Sequence, residues 1–236
     1  MLPHESTPPQ KRWRHISLLL DGNGRWAARR GQARSYGHTV GAINFLKLLP
    51  AFVRLHLDYL SVYVFSTENR ERPGSEVAHI FAVIEEHLRA QIDWLNCLNI
   101  RLQVIGRLEQ LPASLQEAIQ AARQLTQTNS GMRLVLAINY GGRQELVDGI
   151  RRMAAEGVKP EQVDEAVVRH YLYDPSLPDP DLILRTADER HLSNWMVWQG
   201  AHSRFLPLKP LSPDLSEQDL VEAVRQSTPR TLLSAS

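Results

Sequence analysis

The sequence predicts an α/β fold, a mostly parallel six-stranded sheet flanked by helices on both faces. Three observations carry this. Short runs rich in leucine, valine, isoleucine and aromatic residues alternate along the chain with segments of helical periodicity. The run Tyr59-Leu60-Ser61-Val62-Tyr63-Val64-Phe65 is apolar almost without a break, as expected of a strand covered on both faces. Polar clusters follow the first, second and fifth strands, at the strand ends where parallel sheets bind ligands.

The elements follow in order. The first strand is His15-Ile16-Ser17-Leu18-Leu19-Leu20, a helix covers about 24–30, and a glycine-containing loop runs from Gly31 to Gly37. A second helix starts near His38 and reaches about Leu55, with Val40, Ile43, Leu46, Leu49 and Phe52 at helical spacing. After the second strand and a polar loop over 66–73, a long helix at about 76–98 repeats Val77, Ile80, Phe81, Ile84, Leu88, Ile92, Leu95 and Leu98. The third strand is 101–105, closed by Gly106; a helix at 112–126 ends before the turn Asn129-Ser130-Gly131. The fourth strand is 132–139, and Gly141-Gly142 leads into a helix at 143–155. A further helix is expected at 161–172, then a loop marked by Pro175, Pro178 and Pro180, and a fifth strand at 181–185. Trp195-Met196-Val197-Trp198 fits a short helix and a strand equally; the sixth strand is 204–208. Residues 1–13 read as a flexible N-terminal arm, 14–226 as a single catalytic domain, and 227–236 as a frayed tail.

At 236 residues and 43% hydrophobic, the chain fits one domain with its own core. The net charge of +1 supplies no field for nucleic acid, which is not expected as a partner. Basic residues are dense only locally, at Arg25, Arg29, Arg30 and Arg34. The single cysteine, Cys97, excludes an internal disulfide and fits a reducing compartment. The polar opening lacks the apolar core of a signal peptide, and no stretch approaches the roughly 18 apolar residues that cross a bilayer. A cytoplasmic protein is expected, with peripheral membrane contact left open.

Asp21-Gly22-Asn23-Gly24-Arg25-Trp26 places a carboxylate at a strand end, a glycine turn, and a helix start rich in arginine. Such a site suits an anion and its metal, with diphosphate the first guess. A dinucleotide fingerprint fits poorly, because Arg25 and Trp26 crowd the packing positions and no acidic residue closes the next strand. An EF-hand fails for lack of its later ligands. A plain strand-to-helix turn remains the simple alternative. The clusters Ser66–Arg72 and Arg185–Asn194 read either as solvated surface or as further phosphate donors.

Taken together, these segments resemble the cis-prenyltransferases, the undecaprenyl diphosphate synthase family. Asp21 to Ala27, with Arg34 and Gly37-His38, is similar to that family's first motif, and Phe65 to Asn69 with Arg72-Pro73 to its second. Val104-Ile105-Gly106, Asn139 to Arg143, Asp181 to Asn194 and Trp198-Gln199 follow in the family's order. The resemblance implies a fold with an apolar tunnel, joining an allylic diphosphate to isopentenyl diphosphate with loss of diphosphate, usually as a homodimer with Mg2+. It implies Asp21 as the Mg2+ ligand and as a catalytic residue with Ser66 and Asn69. Gly22, Asn23, Gly24, Arg25, Arg34 and His38 would cradle the allylic diphosphate. Trp26, Arg72, Arg185, His191, Ser193 and Arg204 would serve the second substrate, with Glu189 orienting nearby arginines.

The departures fall on the second-substrate side. The family's arginine two before the serine is His191 here, its Tyr-x-Glu reads His202-Ser203-Arg204, the aromatic after Asn69 is Arg70, and the Arg-Arg-Phe-Gly-Gly ending is absent. An arginine cannot ligate Mg2+ but can neutralise diphosphate, so Arg204 is expected to stand in for metal charge. A short or irregular product is expected. The alternative is a catalytically weak partner subunit.

Overall fold

A computed structural model describes residues 13–227. Its six strands are β1 His15–Leu19, β2 Tyr59–Ser66, β3 Arg101–Ile105, β4 Arg133–Tyr140, β5 Leu182–Arg185 and β6 Arg204–Pro207. They form one sheet in the order β3-β4-β2-β1-β5-β6, every neighbouring pair parallel. The helices are α1 Asn23–Ala28, α2 Arg34–Arg54, α3 Gly74–Cys97, α4 Ala113–Thr126, α5 Gly142–Ala155, α6 Glu165–His170 and α7 Glu217–Gln226. The larger core lies on one sheet face, where Leu49 and Phe52 of α2, Ile84 and Leu88 of α3, Leu115 and Ile119 of α4, and Leu220 of α7 meet Ile16, Leu18, Leu60 and Val62. The other face carries a smaller cluster of Leu19, Val135, Tyr140, Ile183, Trp195 and Met196.

Four elements differ from the sequence reading. Helix α2 begins at Arg34 rather than His38, because Gly37 serves helix packing and not a turn: a Cβ there would collide with the carbonyl oxygen of Asn23. The helix expected over 161–172 shortens to α6, started by Asp164 Oδ1 accepting from Val167 N at 2.8 Å. Residues 195–198 are neither helix nor strand. Helix α7 was not anticipated, although Ser216 and Asp219 form a capping box at its start. The expected arm and tail lie outside the described residues except at their inner ends. There Trp13 is buried in the main core.

In β1 the apolar alternation sends Ile16 and Leu18 to the large core, while His15 and Ser17 stay fully buried among polar partners. His15 Nδ1 lies 2.7 Å from the Pro178 carbonyl oxygen, and Nε2 lies 2.8 Å from Ser61 Oγ. Burial pushes the imidazole down from 6.5 to about 4, outweighing the bond to Pro178 and the charges of Asp181 and Asp179. The unfolded chain therefore takes up a proton near pH 6.5 that the folded chain refuses until about pH 4, so stability falls as pH drops through that window. Chemical unfolding of the wild type should lose about 3 kcal/mol toward pH 4. His15→Asn, which cannot titrate, should lose less over the same range. Parallel curves would refute a buried neutral imidazole.

Candidate active site

The neighbours β2, β1 and β5 release their chains at the same edge of the sheet, so residues far apart in sequence meet there. Asp21 follows β1, and its Oδ2 accepts from Arg185 Nε at 2.9 Å. The Asp21 backbone N–H donates to Thr186 Oγ1 at 2.7 Å, which fixes the carboxylate's base. Arg185 is 5% exposed. Its Nη1 donates to Ser193 Oγ at 2.6 Å and to the His191 carbonyl. Asp21 Oδ1 and Arg185 Nη2 make no hydrogen bond among the described residues, and both Asp21 and Arg185 line the cleft.

After β2, Ser66 and Asn69 close a turn reciprocally. Asn69 N donates to Ser66 Oγ at 3.1 Å, and Ser66 N donates to Asn69 Oδ1 at 3.2 Å. That fixes both side chains and leaves the Asn69 amide protons for a ligand. Arg72 then meets the first turn of α3, where Glu76 gathers three cationic or basic groups: Arg72 Nη1 at 3.0 Å, His38 Nε2 at 3.1 Å and Arg34 Nε at 3.6 Å. Burial, then the charge of Arg72, push His38 down, so it is neutral at pH 7 and donates from Nε2 to Glu76. Partial burial opposes ionisation of Glu76, yet the bond from His38 and the charges of Arg72 and Arg34 hold its carboxyl below the usual range.

These groups line a polar cleft of about 510 Å³, which contains Asp21, Asn23, His38, Ser66, Asn69, Arg72, Arg185 and Ser193. The cleft adjoins an apolar cavity of about 140 Å³ and shares Leu20, Asn23, His38, Tyr63, Val64 and Ile80 with it. Phe45, Leu46 and Leu49 of α2, Ile84, Leu88 and Leu95 of α3, and Leu134 and Leu136 of β4 wall that cavity. Helix α3 is thus both cavity wall and core, since Phe81 packs against Phe65 at 4.7 Å between ring centroids.

Other expected residues stand around the cleft rather than in it. Gly22 is left-handed, with φ 101°, and a Cβ there would lie 2.7 Å from the Leu211 side chain. Gly24 lets the Arg34 guanidinium lie over the loop. Arg25 pairs with Glu189 at 2.8 Å, and Glu189 lies 3.8 Å from His191, which is exposed. Trp26 turns away: its Nε1 donates to Asp214 at 2.6 Å, and the Arg30 guanidinium lies 4.0 Å over its ring. Arg204 opens β6 opposite Leu182, at the far end of the sheet, roughly 16 Å along the strands from Asp21 at about 3.3 Å per residue. It does not reach the cleft of its own chain, so the second-substrate role expected of Arg204 needs a second copy. Trp26 likewise is not brought to the second-substrate groups.

Three residues were missed by sequence reasoning. Glu76 is readable as an acidic residue in a helix's first turn, three positions after Pro73. Glu68 and Asn194 line the cleft and are joined, Asn194 Nδ2 donating to Glu68 Oε1 at 2.7 Å. Only the fold brings these two together.

Mg2+ typically binds through one or two carboxylates plus substrate phosphates. The donors here fit that mode. The Asp21 carboxylate lines the cleft, and the neighbouring Asn23 Oδ1 is buried without a hydrogen-bond partner. Among the described residues no three His, Cys, Asp or Glu side chains could hold a metal by themselves.

Residues 19–231 match the family model Prenyltransf, described as putative undecaprenyl diphosphate synthase. An isoprenyl transferase of Heliobacterium mobile is 38% identical over 224 residues, covering 93% of this chain and 86% of that protein. Isoprenyl transferase 2 of Corynebacterium glutamicum is 39% identical over 227 residues, covering 94% and 93%. Among solved structures, lavandulyl diphosphate synthase from Lavandula x intermedia, in complex with dimethylallyl diphosphate, superposes with a TM-score of 0.89 at 32% identity, covering 93% of this chain and 96% of that one. A probable undecaprenyl diphosphate synthase from Campylobacter jejuni gives 0.76 at 25% identity, covering 92% and 95%.

Glu76→Gln removes the charge that gathers Arg34, His38 and Arg72. Affinity for a non-hydrolysable thiolo-diphosphate, measured by calorimetry, should fall about 5- to 10-fold. Unchanged affinity would show that Glu76 does not organise these groups.

Proposed function

This chain belongs to the undecaprenyl diphosphate synthase family, the cis-prenyltransferases, and we propose that it joins an allylic prenyl diphosphate to isopentenyl diphosphate or another prenyl acceptor, giving a short or irregular isoprenoid. It is a prenyl-transferring enzyme. The observation that carries the reading is the junction of a polar, arginine-lined cleft with an apolar cavity, at Asn23 and His38. A molecule with an anionic head and a hydrocarbon tail matches that junction. The C1–O bond breaks there, the electron pair leaves on diphosphate, and the acceptor's double bond attacks C1 before losing a proton.

Arg34 and the neutral His38 bind the departing diphosphate, and Arg72, expected on the second-substrate side, joins them because Glu76 gathers all three. The diphosphate gains charge in the transition state and is stabilised there more than in the ground state. Asp21 and the substrate's own oxygens would hold Mg2+, which supplies further charge neutralisation. The aliphatic walls of α2 and α3 exclude water that would capture the allylic cation. Arg185, held by Asp21 and presented beside Ser193, serves the second diphosphate.

The cavity supports a short product. At about 140 Å³ it matches the roughly 150 Å³ that accommodates a benzene-sized guest, or a tail of about five or six carbons. An irregular product is supported by His191 on the second-substrate side, and by similarity to a lavandulyl diphosphate synthase. Val147 and Ile150 of α5 are exposed, and exposed Val197 adjoins Gly142 at the start of that helix. A second copy on this face would form the homodimer that Arg204 requires. Among the described residues no helix is long and apolar enough to cross a membrane.

With dimethylallyl diphosphate alone and with isopentenyl diphosphate, the purified chain should release diphosphate and form products of about ten carbons, one five-carbon tail joined to one five-carbon acceptor. Asp21→Ala should lower turnover on the order of 100- to 1000-fold. A long regular cis-polyprenol as sole product would overturn the short-product reading, and no release of diphosphate would favour the partner-subunit reading. Arg204→Glu should raise the Mg2+ dependence of turnover; an unchanged dependence would remove Arg204 from the second site.

A further inference from the structure

The segment after β5 is the most strained of the described chain. Ala187, Asp188, Ser193, Asn194 and Met196 all adopt left-handed conformations, with φ of 69°, 53°, 48°, 61° and 39°. None is glycine, and each costs free energy that its surroundings must offset. Its first half is held through backbone bonds, Ala187 N to Pro210 O at 2.7 Å and Asp188 N to Leu208 O at 2.8 Å. Its second half carries Ser193 and Asn194 into the cleft, and the next residue, Trp195, is fully buried.

Trp195 enters a closed polar chain beneath the site. Its Nε1 donates to Ser17 Oγ at 2.7 Å. Ser17 Oγ and Ser61 Oγ lie 2.9 Å apart, and Ser61 Oγ lies 2.8 Å from His15 Nε2. The far end fixes the direction. The Pro178 carbonyl can only accept, so His15 Nδ1 carries the proton. The neutral ring's Nε2 then accepts from Ser61, Ser61 accepts from Ser17, and Ser17 accepts from the indole. Met196 Sδ, 3.8 Å from both serine hydroxyls, is a weaker competing acceptor, and such aligned chains polarise one another. The indole also stacks on Tyr63 with ring centroids 4.5 Å apart, and Tyr63 lines the cleft.

We infer that Trp195 is a positioning residue: its indole N–H, anchored through Ser17 and Ser61 to His15, holds Ser193 and Asn194 in their strained conformation at the second-diphosphate end of the cleft. The anchoring is read from geometry alone. Its consequence for the second substrate rests on the function proposed above. Trp195 touches no reacting atom, and the bonded chain runs along the sheet face that carries Leu19 and Tyr63 to the opposite end of β1.

Trp195→Phe keeps the ring on Tyr63 and removes only the donor. Ser17→Ala removes the acceptor, and the double variant leaves neither group stranded. Hydrogen exchange should accelerate over residues 187–196 in all three, with α2 and α3 unchanged. The KM for the second diphosphate should rise about 5- to 10-fold, while that for the allylic diphosphate stays within about twofold. The double variant should regain melting temperature but keep the raised KM, since replacing both partners removes the buried unpaired group without restoring the anchor. Unchanged exchange over 187–196 would overturn the anchoring, whether or not the protein turns over substrate. Both KM values moving together with melting temperature would overturn the positioning role. A wild type without diphosphate release would count against the proposed function, while the exchange result would still decide the anchoring.

Discussion

The contact between Asp21 and Arg185 carries the rest of the site. Arginine buried to 5% exposure loses most of its hydration, and its charge-assisted pairing offsets that loss. The pairing comes from one carboxylate, one hydroxyl and one carbonyl, delivered by the chain after β1 and by the loop after β5. Each partner thereby positions the other. The carboxylate keeps one oxygen turned to the cleft, and the guanidinium keeps one nitrogen free. Removing the Asp21 charge leaves Arg185 buried without its counter-ion, so a substitution there disturbs stability and chemistry together, whereas Asp21 itself is more than a third exposed.

The second organising feature is an abrupt change of polarity. Asn23, His38 and Ile80 stand at a boundary with arginines on one side and leucines on the other. His38 suits that boundary because burial keeps its ring uncharged, so it donates a hydrogen bond without bringing a full charge to the mouth of an apolar cavity. Glu76 balances the neighbouring arginines, which keeps a cluster of positive charge from destabilising the start of α3.

Much of this was legible in the sequence. The strand at Tyr59–Ser66 declared itself by its unbroken apolar run, and Asp21, Ser66 and Arg185 by standing at or just past strand ends. What escaped has identifiable physical causes. Gly37 looked like a turn because a sequence does not reveal that another backbone passes against it. Residues 195–198 gave no period because their conformation is set by tertiary bonds and not by local propensity. Glu76 was readable as a first-turn acid, but its role was not, because its partners Arg34 and His38 come from another helix. Arg204 was assigned by its place in a motif, yet strand direction carries it to the wrong end of its own sheet.

The parallel pairing of β1 with β5 sets Asp21 and Arg185 164 positions apart along the chain. Contacts of such long range are slow to form, because a large loop must close before any favourable energy is returned. During synthesis the first diphosphate loop leaves the ribosome early, but it has no counterpart until β5 and the turn at Ser212–Asp214 have followed it. The carboxylate after β1 therefore finds its arginine only when β5 has been added to the sheet, late in the chain.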